Sequence, residues 1–464
     1  MSVDWSFVRL KDYCTKIGSG STPRGGANVY LDSGNVCLIR SQNIYNDGFS
    51  ENGLVFISDS DAEKLNNVEI ELNDVLINIT GDSVARVCLA PKDKLPARVN
   101  QHVAIIRTVK NELDPKFVRY FLTDRNTQNH LLTLAGTGAT RNALTKGMLE
   151  EFLVPKPDIL IQKKISKILS DLDEKIHLNN QINQTLESIA QTIFKSWYID
   201  FDPVRAKIAA KLEGADPEIA AMCVISGKSE AELKQMPDDD FAELQATAAL
   251  FPDELVESEL GEVPKGWDAI TLGNFLEIKR GGSPRPIQNF MAPTGYPWVK
   301  IADATADPSP FLFKTKEFII KEGLRKTVYL KKGSLILTNS ATPGLPKFLE
   351  LDACIHDGWL YFPQKKHFSD NYLYFLFLKL RTQLVAQGNG SVFTNLKTDI
   401  LRNQVVLVPT KEVIEKFDFQ VGKILEMMKT QCIQSSNLSD LRDTLLPKLL
   451  SGKVSVLGFQ GEVA

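Results

Sequence analysis

The 464-residue chain contains no stretch of about 18 apolar residues, so nothing in it reads as a membrane span. Its opening segment, MSVDWSFVRLKD, lacks the apolar core of a secretory signal. The six cysteines (Cys14, Cys37, Cys88, Cys223, Cys354, Cys432) lie far apart and form no CxxC pair. That spacing argues against a disulfide framework or a zinc site and fits reduced thiols in a cytoplasm. Missing too are an (N/D)PP(Y/F) motif to hold a target amine, a strand-linked GxGxxG and a GxxxxGK(S/T) loop. Amine methylation, dinucleotide binding and ATP hydrolysis by this chain are therefore not expected. A basic excess is lacking as well: 54 Lys and Arg stand against 57 Asp and Glu, a formal net charge of -3. Nucleic-acid-binding domains usually carry more positive charge than that. What is present is ordinary: 43% hydrophobic and 24% charged residues, with a length that calls for several domains.

The near-neutral total conceals a partition. Residues 200–264 hold 16 acidic and 5 basic side chains, a net of -11, which leaves +8 on everything else. The central segment reads as an acidic connector between basic parts. It either links and solubilises, the simpler expectation, or packs against the helices or a partner. The aromatic run before it (Phe194, Trp197, Tyr198, Phe201) is expected to be buried. An excess of +8 over two domains is modest, so any binding of a polyanion by these parts is expected to be weak and salt-sensitive.

The two halves repeat. WSFVRL at Trp5 matches WDAITL at Trp267, and GSGSTPR (Gly18 to Arg24) matches KRGGSPR (Lys279 to Arg285). DVLINIT matches GSLILTN, and NQHVAII around His102 matches CIHDGWLYF around His356. KFVRYFL pairs with NYLYFLF, GATRNAL with GSVFTNL, and KIL at Lys167 with KIL at Lys423. Conserved order with a few residues of drift indicates a tandem duplication with loop insertions. Within each repeat, short apolar runs such as VCLIRS, LVFIS and HVAIIRT read as strands, followed by helical patterns.

Each repeat ends in a helix with a seam. In the first, Ile165, Leu169, Leu172, Ile176, Ile182, Leu186, Ile189 and Ile193 recur in steps of three and four, with Asn179 inside the run. In the second, Ile424, Met428, Leu438, Leu441 and Leu445 fall on the corresponding stripe, which begins at Val421. Pro447 is expected to end or kink that helix. Two such helices favour packing on each other, antiparallel and about a pseudo-two-fold. Ile165 to Ile193 spans 29 residues, about 43 Å at 1.5 Å per residue. That is comparable to one DNA turn, the usual half-site spacing of two-fold DNA readers.

These features together resemble the specificity (S) subunit of Type I restriction–modification enzymes. The resemblance is carried by the tandem plan and by FKSWYIDFDPVRAK (Phe194 to Lys207), FPDELVESELGEVPKGW (Phe251 to Trp267) and LLPKLLSGKV (Leu445 to Val454). The chain departs from the family pattern in having no PKGW-type lead before Trp5, and in opening its second helix with EKFDFQVGKIL. The resemblance implies an α+β fold: two tandem target recognition domains of mixed strands and short helices, separated by two long conserved helices forming an antiparallel coiled coil. The expected division is recognition domain 1 at 1–156, helix 1 at 157–199 and the connector at 200–265. Recognition domain 2 follows at 266–412, helix 2 at 413–452 and a tail at 453–464. The resemblance further implies a non-catalytic reader of double-stranded DNA that assembles with two methyltransferase (M) subunits, and with restriction (R) subunits for cleavage. Each recognition domain would read half of a split, asymmetric target. No cofactor is expected on this chain. S-adenosylmethionine would sit on the methyltransferase, and ATP and Mg on the restriction subunit.

Candidate DNA contacts are polar side chains on loops held by rigid elements. In the first domain these are Ser19, Ser21, Arg24, Arg40, Ser41, Asn43, Thr80, Ser83, Arg86, Thr140, Arg141 and Asn142. In the second they are Arg280, Ser283, Arg285, Lys300, Asn339, Ser340, Thr342, Asn389, Ser391, Thr394 and Asn395. Arg suits guanine and Asn suits adenine, while hydroxyls and Gly-rich backbone suit phosphates. His102 and His356 stand at matching places and read as structural. The Glu277-Ile278-Lys279 triplet is too short a motif to argue for a nuclease metal site. The competing classes are an enzyme with an unrecognised site in one domain, and a coiled-coil scaffold that binds protein.

Overall fold

The computed structural model describes residues 5–136, 142–388 and 396–456. The chain divides into two compact units, residues 1–178 with 434–464, and residues 179–433.

In the first unit, an antiparallel sheet runs in the order Cys14–Ser19, Val103–Thr108, Val75–Asn78, Val87–Leu89. The four residues Val75 to Asn78 are all buried, as befits an inner strand covered on both faces. A second sheet orders Val55–Ile57, Val36–Ile39, Ala97–Val99, the last pair parallel. Phe7–Arg9 pairs with Leu153–Pro155 and closes the domain where the first long helix, Ile159–Tyr198, begins.

The second unit repeats this plan. Leu276–Arg280, Trp359–Lys365, Leu335–Thr338 and Pro346–Leu349 lie in the same order, with Phe311–Leu312 added at the edge. Tyr296–Val299 runs parallel to Ala353–Ile355, and Asp268–Thr271 pairs with Val405–Val408 before the second long helix, Lys411–Leu450. The fold is thus α+β, with two tandem domains of one topology, each followed by a 40-residue helix.

Hydrogen bonds fix the repeat register atom by atom and correct the sequence match in two places. Leu10 N–H donates to Phe152 O and Leu272 N–H to Gln404 O, so the long helices correspond at an offset of 252 residues. The shared KIL triplets suggested 256, one helical turn away. Ile165 therefore corresponds to Phe417 and not to Val421. The second correction concerns the histidines. Gly20 N–H reaches Val103 O at 2.8 Å, and Gly281 N–H reaches Trp359 O at 2.8 Å. That makes Asn100, not His102, the counterpart of His356.

One compensated exchange shows how closely the repeats correspond. In the first, Asp114 caps a helix by accepting from Phe117 N–H, and Ser166 of the long helix donates to the same carboxylate at 2.5 Å. In the second, Ser369 caps the equivalent helix through Tyr372 N–H and donates to Asp418 of the long helix at 2.6 Å. Serine and aspartate have changed places across one contact. Ser166→Asp alone, which sets two carboxylates together, is expected to cost about 1–3 kcal/mol. The double change Asp114→Ser with Ser166→Asp should recover most of it, and a double-mutant cycle of urea midpoints measures the recovery.

Each unit contains an antiparallel segment of the helix pair. In the first, Ile165 and Leu169 pack with Leu446, Leu449 and Leu450. In the second, Asn183 Nδ2 meets Cys432 Sγ at 3.2 Å, and Tyr198 Oη donates to Val413 O at 3.2 Å. Two seam residues expected from the sequence are not in the seam. Ile189 is 45% exposed and Leu441 47% exposed, while Ala190 is fully buried and Arg442 largely so. The heptad continues in unbroken steps of four and three only through Asn183 and Ala190, and through Arg442. An apolar reading preferred the larger hydrophobic neighbour each time. Pro447 does not end the helix, which runs on to Leu450.

The acidic segment is a folded module, not a solvated linker. Helices Asp202–Glu213, Pro217–Ser226, Glu230–Leu233 and Asp238–Ala248 are followed by a hairpin of Leu255–Ser258 and Gly261–Pro264. It packs on the helix pair of its unit: Val204 and Phe251 share a core with Trp197 and Phe417. Lys207 is buried and donates to Glu218 at 2.7 Å and to Phe251 O at 2.8 Å. The module is held inward by its apolar and lysine contacts, and its acidic side chains cover the outside.

Candidate nucleic-acid interface

In each domain a Gly-rich loop is stitched to a hairpin turn. In the first, Gly20 N–H and Ser21 N–H donate to Val103 O and Val99 O, which flank the turn Asn100–His102. In the second, Gly281 N–H and Gly282 N–H donate to Trp359 O and Ile355 O, which flank His356–Gly358. The glycines are required by contact. A Cβ at Gly20 would collide with the carbonyl oxygens of Val99 and Asn100, and one at Gly281 with those of His356 and Ile355. Gly18, two residues earlier, has open space around it. Gly20→Ala is accordingly expected to destabilise its unit by about 1–3 kcal/mol. Gly18→Ala should stay within about 0.5 kcal/mol, and urea unfolding of the two variants compares them.

The turns are capped alike. Asn100 Oδ1 accepts from His102 N–H at 3.1 Å, and His356 Nδ1 accepts from Gly358 N–H at 2.6 Å. Burial lowers the pKa of His356 against the partly opposing charge of Asp357, so the ring stays neutral and able to accept. Both histidines are structural here; His102 Nδ1 lies 2.6 Å from Thr80 Oγ1.

The expected contact residues separate into two groups. Ser19, Arg24 and Asn142 are exposed, while Ser21 and Thr80 are half-buried around the same loop and turn. In the second domain Arg280 and Arg285 are exposed and Ser283 is half-buried. Arg280 Nη2 donates to Asp357 O at 2.9 Å, Ser283 Oγ to Asp357 Oδ1 at 2.6 Å, and Arg285 Nη2 lies 3.5 Å from Asp357 Oδ2. These residues form one polar patch.

Other candidates serve the fold. Asn43 is fully buried: its Oδ1 accepts from Arg40 N–H at 3.0 Å and its Nδ2 donates to Ser50 O at 2.9 Å. Asp303 does the same for Lys300 N–H in the second domain at 2.9 Å. Asn43 is thus a capping residue and not a DNA contact. Arg40 donates to Gly53 O and lies over the Tyr30 ring, and Lys300 pairs with Glu317 at 2.6 Å. Ser83 Oγ and Ser41 O both accept from the buried Asn78 amide, at 3.0 and 2.8 Å. Arg86 stacks on Tyr45. Asn339 is 1% exposed and donates to Asp357 O at 3.3 Å, which makes it a support for the turn. Ser340 and Thr342 are half-buried in the adjoining loop. Thr140, Arg141, Asn389, Ser391, Thr394 and Asn395 lie outside the described residues.

Two side chains at the centre of the patches, Gln101 and Asp357, were not singled out in the sequence. The matching histidines drew attention one residue away. The signal that finds them is the register: both are the middle residue of the equivalent turn.

Lys279 pairs with Glu277 at 2.7 Å. Among the described residues no group of three or more His, Cys, Asp or Glu is placed to hold a metal ion.

The family described as the Type I restriction modification DNA specificity domain matches this chain twice, over residues 2–188 and 264–437. The chain belongs to that family. It is 29% identical to the Type I restriction enzyme HindI specificity subunit of Haemophilus influenzae, over 97% of this chain and 100% of the relative. It is 23% identical to the MjaIX specificity subunit of Methanocaldococcus jannaschii, over 98% and 94% of the two chains. The crystal structure of a Type I S subunit from M. genitalium covers 96% of both chains with a TM-score of 0.56 at 15% identity, a likeness of fold. The two matched stretches of the specificity-domain family coincide with the two structural repeats, so each family unit carries one loop-and-turn patch.

Proposed function

We propose that this chain is the DNA sequence-recognition subunit of a Type I restriction–modification complex, non-catalytic itself. The observation that carries the reading is the pair of equivalent loop-and-turn patches with unlike side chains, one in each specificity domain. Equivalent frames with different donors and acceptors read two different half-sites. We assign residues 1–156 and 266–412 as the recognition domains. The helices at 157–199 and 413–452 set the spacing between half-sites and dock the methyltransferase, and the duplication offers that docking surface twice, hence two methyltransferase subunits. Restriction subunits join for cleavage. The module at 200–265 holds the helix pair in the second unit and directs its negative charge to solvent. The site of action is the cytoplasm, in keeping with six cysteines that are all free thiols. Among the described residues no helix is long and apolar enough to cross a membrane.

The test is direct. Purified full chain with DNA and S-adenosylmethionine should transfer no methyl group until the methyltransferase subunit is added. Methyl transfer by the chain alone would overturn the reading in favour of an enzyme.

A further inference from the structure

The hairpin turn in each domain presents its middle side chain to solvent, and that side chain differs between the repeats. The turn reads Asn100-Gln101-His102 in the first and His356-Asp357-Gly358 in the second. Its frame is common to both. The first residue caps the third residue's N–H through its side chain. The third residue's carbonyl accepts from the neighbouring strand: Ile79 N–H donates to His102 O at 2.9 Å, and Asn339 N–H to Gly358 O at 2.8 Å. The Gly-rich loop is bonded on both sides of the turn, and it carries an exposed arginine at the same register, Arg24 or Arg285. The first and third residues differ in identity but serve that frame in both repeats, and the middle residue is the most exposed of the three. Gln101 is exposed, and the Asp357 side chain is 45% exposed.

We propose that Gln101 and Asp357 are the paired base-discriminating residues of the two half-sites, Gln101 selecting adenine and Asp357 selecting cytosine. The inference rests on the DNA-reading function proposed above and assigns its specificity to two residues.

The chemistry follows from what each group offers. A glutamine amide has a donor and an acceptor, matching adenine N7 and the N6 amino group. A carboxylate only accepts, so it takes the cytosine N4 amino group and is repelled by guanine O6 and N7 and by thymine O4. The hydrogen bond from Ser283 lowers the Asp357 pKa, helped by Arg285 against the cost of burial, so the group is an anion at neutral pH. One oxygen is held by Ser283 at 2.6 Å. The other lies 3.5 Å from the guanidinium of Arg285, whose side chain is 82% exposed. Arg285 has the fork geometry to bind the guanine opposite that cytosine, so the two side chains suit a C·G pair. Arg280, Ser283 and Asn339 hold the turn and act as positioning residues.

A random-sequence duplex library methylated by the full chain assembled with its methyltransferase subunit tests this, with sequencing of the methylated fraction. Wild type should yield a two-part motif. Asp357→Asn keeps an acceptor for Ser283 and should convert one position of one half-site from cytosine toward adenine, by about tenfold or more in relative preference. Gln101→Glu, at an exposed position, should move one position of the other half-site from adenine toward cytosine. Unchanged motifs in both variants would overturn the assignment while leaving the DNA-reading function intact. So would a uniform loss of methylation with the base preferences preserved, because that marks a structural or phosphate role. A wild-type complex that selects no two-part motif would overturn the functional reading itself, and this inference with it.

Discussion

Replacing Trp197 with alanine is expected to remove about 3–5 kcal/mol of stability from the second unit, the range for losing a fully buried large aromatic. Trp197 is 2% exposed and meets Phe251 edge-on at 5.1 Å and Phe417 at 6.2 Å. It therefore joins three segments of that unit: its own helix, the second long helix through Phe417, and the acidic module through Phe251. Tyr198 and Phe201, beside it in sequence, pack on Trp267 at 5.8 and 6.0 Å. A cavity here would loosen the module from the helices rather than one side chain from its neighbour. Ile189→Ala on the same helix is the control. Its side chain is 45% exposed, so the change should stay within about 0.5 kcal/mol. Denaturant unfolding of both variants provides the comparison. Equal losses would mean that the seam runs where the apolar pattern alone placed it.

Asp173→Ala is expected to be as damaging to the first unit. The carboxylate accepts from Arg119 Nη1 at 2.8 Å, from Tyr120 Oη at 2.7 Å and from Arg442 Nη1 at 2.8 Å. None of the three charged side chains is more than 22% exposed. Removing the acid takes the carboxylate from the nearly buried Arg119 and leaves Arg442 with the exposed Asp443 alone, a loss of about 3–5 kcal/mol for a buried pair broken on one side. The pH dependence has a definite sign. Burial alone would raise the pKa of Asp173, but the charge of Arg119 and the hydrogen bonds from Arg442 and Tyr120 outweigh it and leave the value lowered. A lowered carboxyl pKa contributes stability that is complete above the unfolded value of about 3.9. The contribution is lost as pH falls through the folded value. The stability gap between wild type and Asp173→Asn should therefore narrow on acidification below about pH 4, followed by urea titration at successive pH values. At the corresponding positions the second unit has the apolar Leu425 and Ala190, so this polar cluster belongs to one repeat only.

The contrast between the two repeats also shows what the sequence discloses and where it stops. Ile165, Leu169, Leu172 and Ile176 announce a helix seam because every fourth or third side chain is apolar. The signal fails at Asn183 and Arg442, where the seam turns polar and the adjacent apolar side chain is the larger lure. The Gly-rich loops are legible because a close backbone approach demands glycine. The turn beside them is misread by two residues, because its cap is an asparagine in one repeat and a histidine in the other, and identity matching pairs the histidines. The acidic module looks like a linker by charge alone. Its fold depends on Val204, Met222, Leu244, Ala248 and Phe251, sparse apolar residues whose partners are revealed only when the helices are in place. Asn43 and Asn339 have the composition of DNA contacts and the burial of structural residues. Residue type alone cannot separate those roles.

The proposed role of this chain is to select the DNA sequence on which a methyltransferase acts. Mapping methylated positions across the genome of cells that express the methyltransferase, with and without this chain, tests it most directly. A two-part target is expected, with half-site centres about one helical turn apart, and it should disappear when the chain is removed. Methylation that persists unchanged without the chain, or that follows no two-part target in its presence, would contradict that role.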